Sequence, residues 1–234
     1  MTQVTADFEL GVNGNNVEVA DAGSATAWNV VQRSGASTIV YSNAQVIQDS
    51  TLSAKYNNTA GSACWTEWAA ALGNPTDWYG RIYAYFPTVS PTLTGTFVQC
   101  LDAAAVAFQF QIVPVTGLLR VSYNTGNDTL TTAPSTNQWI RVEWHVVHST
   151  TVGQVEVKLF NSPYSSTPTE TFTSTANKNT LTEADQIRFG QVATFATGVD
   201  IWLDAIVGGA SSYPGPGVVS QENLAPVIYG RGAA

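Results

Sequence analysis

Glu143 and His145 come nearest in this chain to a proton-transfer pair. They stand two apart in the stretch 138–160, so on an extended strand both point to one side, where a carboxylate and an imidazole could share acid–base work. The other histidine, His148, falls on the opposite side of that strand, and no Gly-x-Ser-x-Gly elbow supplies a nucleophile. A different chemistry is written in Tyr79, Arg81, Tyr83 and Tyr85, which alternate with the apolar Trp78, Ile82, Ala84 and Phe86. Hydroxyl-tipped rings beside a guanidinium, joined by outward Gln109 and Gln111, suit the stacking and hydrogen bonding that hold a sugar; Trp65 and Trp68 are weaker candidates. Asp200 and Asp204, four apart on one strand face, offer hard oxygen ligands. Each has a plainer alternative: cross-strand pairing of Arg141, Glu143, Glu156 and Lys158 on a wet face, ring packing between neighbours, or solvated edge carboxylates.

The elements that would position these groups are strands. In QWIRVEWHVVHSTTVGQVEVKLF, Ile140, Val142, Trp144 and Val146 share one face and Val155, Val157 and Leu159 continue it, which predicts a β-hairpin with one dry side. A dry side must lie on a second sheet, because a lone hairpin is marginal in water. The same alternation recurs at Val106–Val113, where Phe108, Phe110 and Ile112 oppose Gln109 and Gln111, and at Gln186–Val192. The first strand is expected at Asp7–Gly11 before the Asn13-Gly14 turn, and a turn of helix at Leu181–Asp185. In all about twelve to fourteen short strands are predicted, an all-β antiparallel two-sheet sandwich of the jelly-roll kind.

Composition narrows the partners. Seventeen acidic and nine scattered basic residues give a net charge of −8, so nothing marks a surface for nucleic acid or anionic lipid. No apolar run approaches the roughly 18 residues of a membrane span. The start, MTQVTADFELG, lacks a basic opening and an apolar core, which points to use in the cytoplasm or to release with an assembled particle on lysis. Cys64 and Cys100 read as one bridge or as two buried thiols. The sequons Asn57-Asn58-Thr59 and Asn127-Asp128-Thr129 carry no meaning without export. Residues 1–6 read as a polar N-terminal arm, 7–209 as one domain, and 210–234 as a C-terminal docking arm, in which Val218, Leu224, Val227, Ile228 and Tyr229 are too apolar for an idle tail.

The sequence Asp7-Phe8-Glu9…Gly14, then Trp78–Tyr83, Gly117–Val121, Trp139–Trp144, Ile187–Gly190 and Asp200–Gly208, resembles the concanavalin A-like lectin/glucanase jelly roll. It is most similar to the laminin-G-like forms in tail and other virion proteins of phages that infect actinobacteria. The resemblance implies that first and last strands pair, which would bring Glu9 near Asp200 or Asp204, where related modules often hold a structural calcium; no cofactor is otherwise required. It also implies a test for hydrolysis, since the glucanases place their acids in a Glu-x-Asp-x-x-Glu strand. Neither Glu67, followed by Trp68-Ala69-Ala70, nor Glu143, followed by Trp144-His145-Val146, begins one. The expectation is therefore a non-enzymatic virion structural protein, a minor tail protein or tail-associated module. It would be assembled in the host cytoplasm, exported within the particle as a homo-oligomer or multi-copy component, and partnered by other virion proteins and a cell-surface glycan. Capsid decoration through the termini and a glucanase-type enzyme are the alternatives.

Overall fold

The computed structural model describes residues 3–19, 26–58, 62–87, 94–174, 177–193 and 199–217, and its described residues form fifteen strands and no helix. The first sheet runs, neighbour by neighbour, β13 (Glu170–Thr173), β12 (Gln154–Phe160), β11 (Trp139–Val147), β6 (Asp77–Tyr85), β15 (Asp200–Ala210), β4 (Ser53–Asn57) and β3 (Thr38–Ser42). The second runs β10 (Asn127–Thr129), β9 (Leu119–Tyr123), β8 (Ala105–Ile112), β7 (Gly95–Asp102), β14 (Gln186–Ala193), β5 (Cys64–Trp68) and β2 (Val30–Arg33). All their pairings are antiparallel, and the two sheets stack as a jelly-roll sandwich. The expected hairpin is β11–β12, in register from Arg141 opposite Phe160 to Val147 opposite Gln154.

Between the sheets lies the dry layer that alternation requires. Ile140, Val142, Trp144 and Val146 of β11 meet Phe108 and Phe110 of β8, with Trp144 edge-on to Phe110 at 5.4 Å and to Trp78 at 6.0 Å. Fully burying side chains of this size stabilises by about 1.5–3 kcal/mol each. Gly80 is the condition for it: a Cβ at that position would overlap the Trp144 indole. At the other end Trp28 stacks on Trp68 at 4.4 Å. The Tyr56 hydroxyl of the first sheet meets the Thr66 hydroxyl of the second at 2.9 Å, so its polar atom stays satisfied in the core. Cys64 and Cys100 are free and buried on strands flanking β14, opposite Gln191 and Ile187. Burial pushes the Cys64 thiol up to about 12, which makes it an inert packing group.

Three expectations near element boundaries are corrected. Residues 4–6 of the expected arm form β1 (Val4–Ala6), paired with Ile206–Gly208 of β15, and β15 runs to Ala210, so the sandwich exceeds 7–209 at both ends. Asp7–Gly11 is a tight turn with Phe8 at φ 60°; its ring turns into the core against Trp28 at 6.2 Å, leaving Leu10 in solvent. Leu181–Asp185 is not helical, because Leu181 sits at φ 59° and the Thr182 backbone amide and hydroxyl both donate to Asp102.

Candidate functional site

The outer side of the first sheet holds Tyr79, Arg81, Tyr83 and Tyr85 in a row on β6, as alternation predicts. Beside them on β11 stand Arg141, Glu143 and His145, and on β15 Trp202 and Asp204. The expected half-solvated sugar surface is nevertheless covered. Residues 211–217 cross it: the Tyr213 hydroxyl donates to Glu156 at 2.6 Å, its ring lies under the Lys158 ammonium at 3.4 Å, and the Gly217 amide donates to the Tyr83 hydroxyl at 2.9 Å. Arg81 donates to the Gly215 carbonyl at 2.8 Å and to the Ala205 carbonyl at 3.1 Å. Loop residue Ile47 packs on Tyr83, Trp139 and Trp202, so Tyr83 is fully buried.

Charges under this cover are paired. Arg141 contacts Glu143 at 3.0 Å, donates to the Pro163 and Ser165 carbonyls, and lies over the Phe160 ring at 3.7 Å. Burial pushes the Glu143 carboxyl upward, against the opposing pull of Arg141, Arg81 and Lys158. His145 bonds Asp77 at 2.7 Å and stacks on Tyr79 at 4.0 Å, so the two members of the candidate acid–base pair have different partners. His148 is a core residue: it accepts from the Trp78 indole at 3.1 Å and donates to the Thr180 carbonyl at 2.7 Å.

Gln109 and Gln111 lie on β8 in the other sheet, so the six candidate sugar contacts split between opposite sides of the sandwich. On the outer side of the second sheet they belong to a polar row that crosses five strands. Arg188 of β14 donates to Glu67 of β5 at 2.7 Å and to Gln99 of β7 at 3.4 Å, with its guanidinium 4.2 Å from the Trp65 ring centre. Gln99 donates to Gln109 at 3.1 Å, Gln111 to Thr96 at 3.1 Å, and Arg120 of β9 to Gln111 at 2.8 Å. Trp65, Gln99, Gln109, Arg120 and Arg188 all keep part of their surface in solvent. Sequence reasoning weighed Glu67 only as a catalytic acid and passed over Gln99, Arg120 and Arg188. The signal was present in the period-2 pairs Trp65/Glu67 and Gln186/Arg188, polar positions that look like any wet strand face.

Of the carboxylates expected at a calcium site, Glu9 and Asp204 come together while Asp200 stands apart. Glu9 and Asp204 both accept from the Ser50 hydroxyl, while Asp200 pairs with Lys55 at 2.7 Å and accepts from Asn57 at 2.5 Å. Among the described residues no group of three or more His, Cys, Asp or Glu is placed to hold a metal ion. Burial holds the Asp204 carboxyl well above the usual carboxylate range. Val218, Leu224, Val227, Ile228 and Tyr229 lie outside the described residues.

No protein-family model matches the chain, and no curated protein matches it. Solved structures do. An endo-β-1,4-glucuronan lyase from the fungus Trichoderma reesei is 14% identical with a TM-score of 0.60, covering 88% of this chain and 94% of that one. The cellulose-induced protein Cip1 is 18% identical with a TM-score of 0.61, covering 92% and 100%. The ligand-binding domain of botulinum neurotoxin serotype D, solved with N-acetylneuraminic acid, is 10% identical with a TM-score of 0.51; the match spans 88% of this chain and 47% of that one. At these identities the likeness is one of fold, an all-β sandwich of the jelly-roll kind consistent with a concanavalin-like domain.

Proposed function

We propose that this chain is a non-enzymatic glycan-binding component of a bacteriophage virion, a minor tail protein or tail-associated module, and that it meets sugar on the outer side of its second sheet. The observation that carries the reading is the Trp65–Arg188–Glu67 cluster with its adjoining glutamine row. An indole plane, a guanidinium and carboxamides stand side by side on a face left partly open to solvent. Stacking on the indole and hydrogen bonds from fixed amides are what a sugar ring and its hydroxyls require. Two of the proteins that share the fold are named for saccharide chemistry, the glucuronan lyase and the toxin domain bound to N-acetylneuraminic acid.

The non-enzymatic part rests on how the ionisable groups are used. Glu67 is paired with Arg188, His145 with Asp77, and His148 is bonded on both ring nitrogens inside the core. The virion setting rests on the family resemblance and on the low charge. A glycan array read with wild type and Trp65→Ala tests the face: binding that drops at least about tenfold in the variant supports it, since stacking anchors dominate such contacts. Turnover of any β-glucan or polyuronate by the wild type would overturn the non-enzymatic reading. Mass spectrometry of purified particles lacking this chain would overturn the virion one.

A further inference from the structure

Where the cover of the first sheet stops short, it leaves a cleft of about 770 Å³. Its floor is the register pair Tyr85 and Trp139, at the point where β6 ends and β11 begins; its sides are Gln138, Asn161, Tyr164 and Gln48. We propose that this cleft is a second saccharide site, one that takes a neutral pyranose. It uses none of the residues of the second sheet and stands independently of the reading given for that face.

Three features carry the inference. No residue lining the cleft is charged, although the same side of the first sheet carries the buried Arg141–Glu143 pair. An anionic ligand would therefore find no counter-charge in the lining, whereas a neutral polyol needs none. The lining combines rings with carboxamides. Tyr85 is held edge-on between Trp139 at 5.8 Å and Trp202 at 5.6 Å, so its orientation is fixed before any ligand arrives. Gln48, Asn137 and Gln138 are exposed, and each carboxamide can both donate to and accept from a hydroxyl. The volume falls within the range of about 300–1,000 Å³ usual for small-molecule sites.

The walls are also tied to one another, which spares the site the cost of ordering them on binding. The Tyr164 hydroxyl accepts from the Gln48 amide, linking two loops across the cleft. Asn161 accepts from the Ser135 amide at 2.8 Å and donates to the Ala133 carbonyl at 3.0 Å, and Gln138 donates to the Asn161 carbonyl at 2.9 Å. Beneath them the buried Arg141 clamps the Pro163 and Ser165 carbonyls on either side of Tyr164. Arg141, the buried partner of Glu143, thus acts as the anchor of the Tyr164 wall.

The test is saturation-transfer NMR and calorimetry on the full chain. The panel comprises glucose, galactose, mannose, N-acetylglucosamine and their common disaccharides, with glucuronate and N-acetylneuraminate as charged controls and a proline-rich peptide as the competing occupant of an aromatic groove. The expected result is that a neutral sugar binds and that Tyr164→Ala and Gln138→Ala each weaken it by about tenfold. Trp65→Ala should leave that binding unchanged. Both variants change exposed side chains, and an unaltered thermal midpoint shows that folding is intact. Absence of binding by every neutral sugar, preference for the charged controls or the peptide, or dependence on Trp65 instead of Tyr164 would each overturn the proposal. Failure here with retained Trp65-dependent binding would leave the second-sheet reading standing.

Discussion

On the first sheet Arg141 and Glu143 meet at 3.0 Å with 1% and 3% of their side chains exposed; on the second, Arg188 and Glu67 meet at 2.7 Å with 26% and 6% exposed. Each pair stands on the outer side of its sheet, within a strand row that alternates with core residues. What differs is what lies above. Over the first sheet three segments fold down: residues 211–217 and the loop bearing Tyr164 accept from Arg81 and Arg141 through backbone carbonyls, and the loop bearing Ile47 packs on Tyr83, Trp139 and Trp202. Over the second, the cation's partners are side chains of its own sheet and the Trp65 ring. A wet sheet face becomes an interior when a loop supplies enough acceptors; without them it stays available to a ligand.

The strongest way to break this contrast is to remove a guanidinium from each face. Arg141→Ala strands a buried carboxylate and unseats the Tyr164 loop, and is expected to cost about 3–5 kcal/mol in urea unfolding. An effect below about 1 kcal/mol, the level of an exposed pair, would mean that the cover is loose and that the first face is as open as the second.

How much of this was legible in the sequence follows from the same contrast. The inward and outward sides of β6, β8, β11 and β12 were readable residue by residue, because alternation along a strand is a geometric identity. Which face would be roofed was not, since the contacts that do it join residues far apart, as when the Gly217 amide meets the Tyr83 hydroxyl across 134 positions. Nor could the pattern say that Tyr83 and Gln109 belong to different sheets; both are polar-tipped outward residues on strands of the same look. The turn at Phe8 escaped because a left-handed φ at an aromatic residue is set by where its ring can bury, not by local preference. The pairing of first with last strand, implied by the family resemblance, is present as β1 against β15, but on Val4–Ala6 and not on Glu9.

A milder probe acts on the cover itself. Tyr213→Ala removes the ring beneath Lys158 and the bond to Glu156 and is expected to cost about 1–2 kcal/mol, because both partners keep about a quarter of their side chains in water. If the cover seals the face, hydrogen exchange of the Arg81 and Tyr83 amide region should quicken in this variant and that of Gln99 should not. Equal protection in variant and wild type would show that the strap is ornamental to the sheet.

Smaller in size but distinct in sign is the response of Asp204, which lies under the same cover near Glu9, Ser50 and Arg81. Its carboxyl is raised by burial, so the folded state binds the proton more tightly than the unfolded chain does. Its contribution is therefore greatest below about pH 4, where an unfolded aspartate ionises, and declines as pH rises toward the folded value. Asp204→Asn should flatten that decline, seen as a shallower dependence of unfolding free energy on pH between about 4 and 7. Identical slopes in the two proteins would mean that Asp204 is solvated and the cover incomplete at that corner.

The smallest effect sharpens the comparison from the open side. Arg188→Lys keeps a cation beside the buried Glu67 but removes the planar guanidinium, and is expected to cost less than about 1 kcal/mol. The same change takes the guanidinium from above Trp65 and releases Gln99, so it should weaken glycan binding while leaving the unfolding midpoint almost where it was. Stability and binding thus separate on the second sheet, whereas on the first a change at Arg141 must disturb the fold together with the Tyr164 wall. A loss of several kcal/mol on Arg188→Lys would reverse that order, because it would place the Arg188 guanidinium among the supports of the sandwich and remove the reason to read its face as the one left free for a ligand.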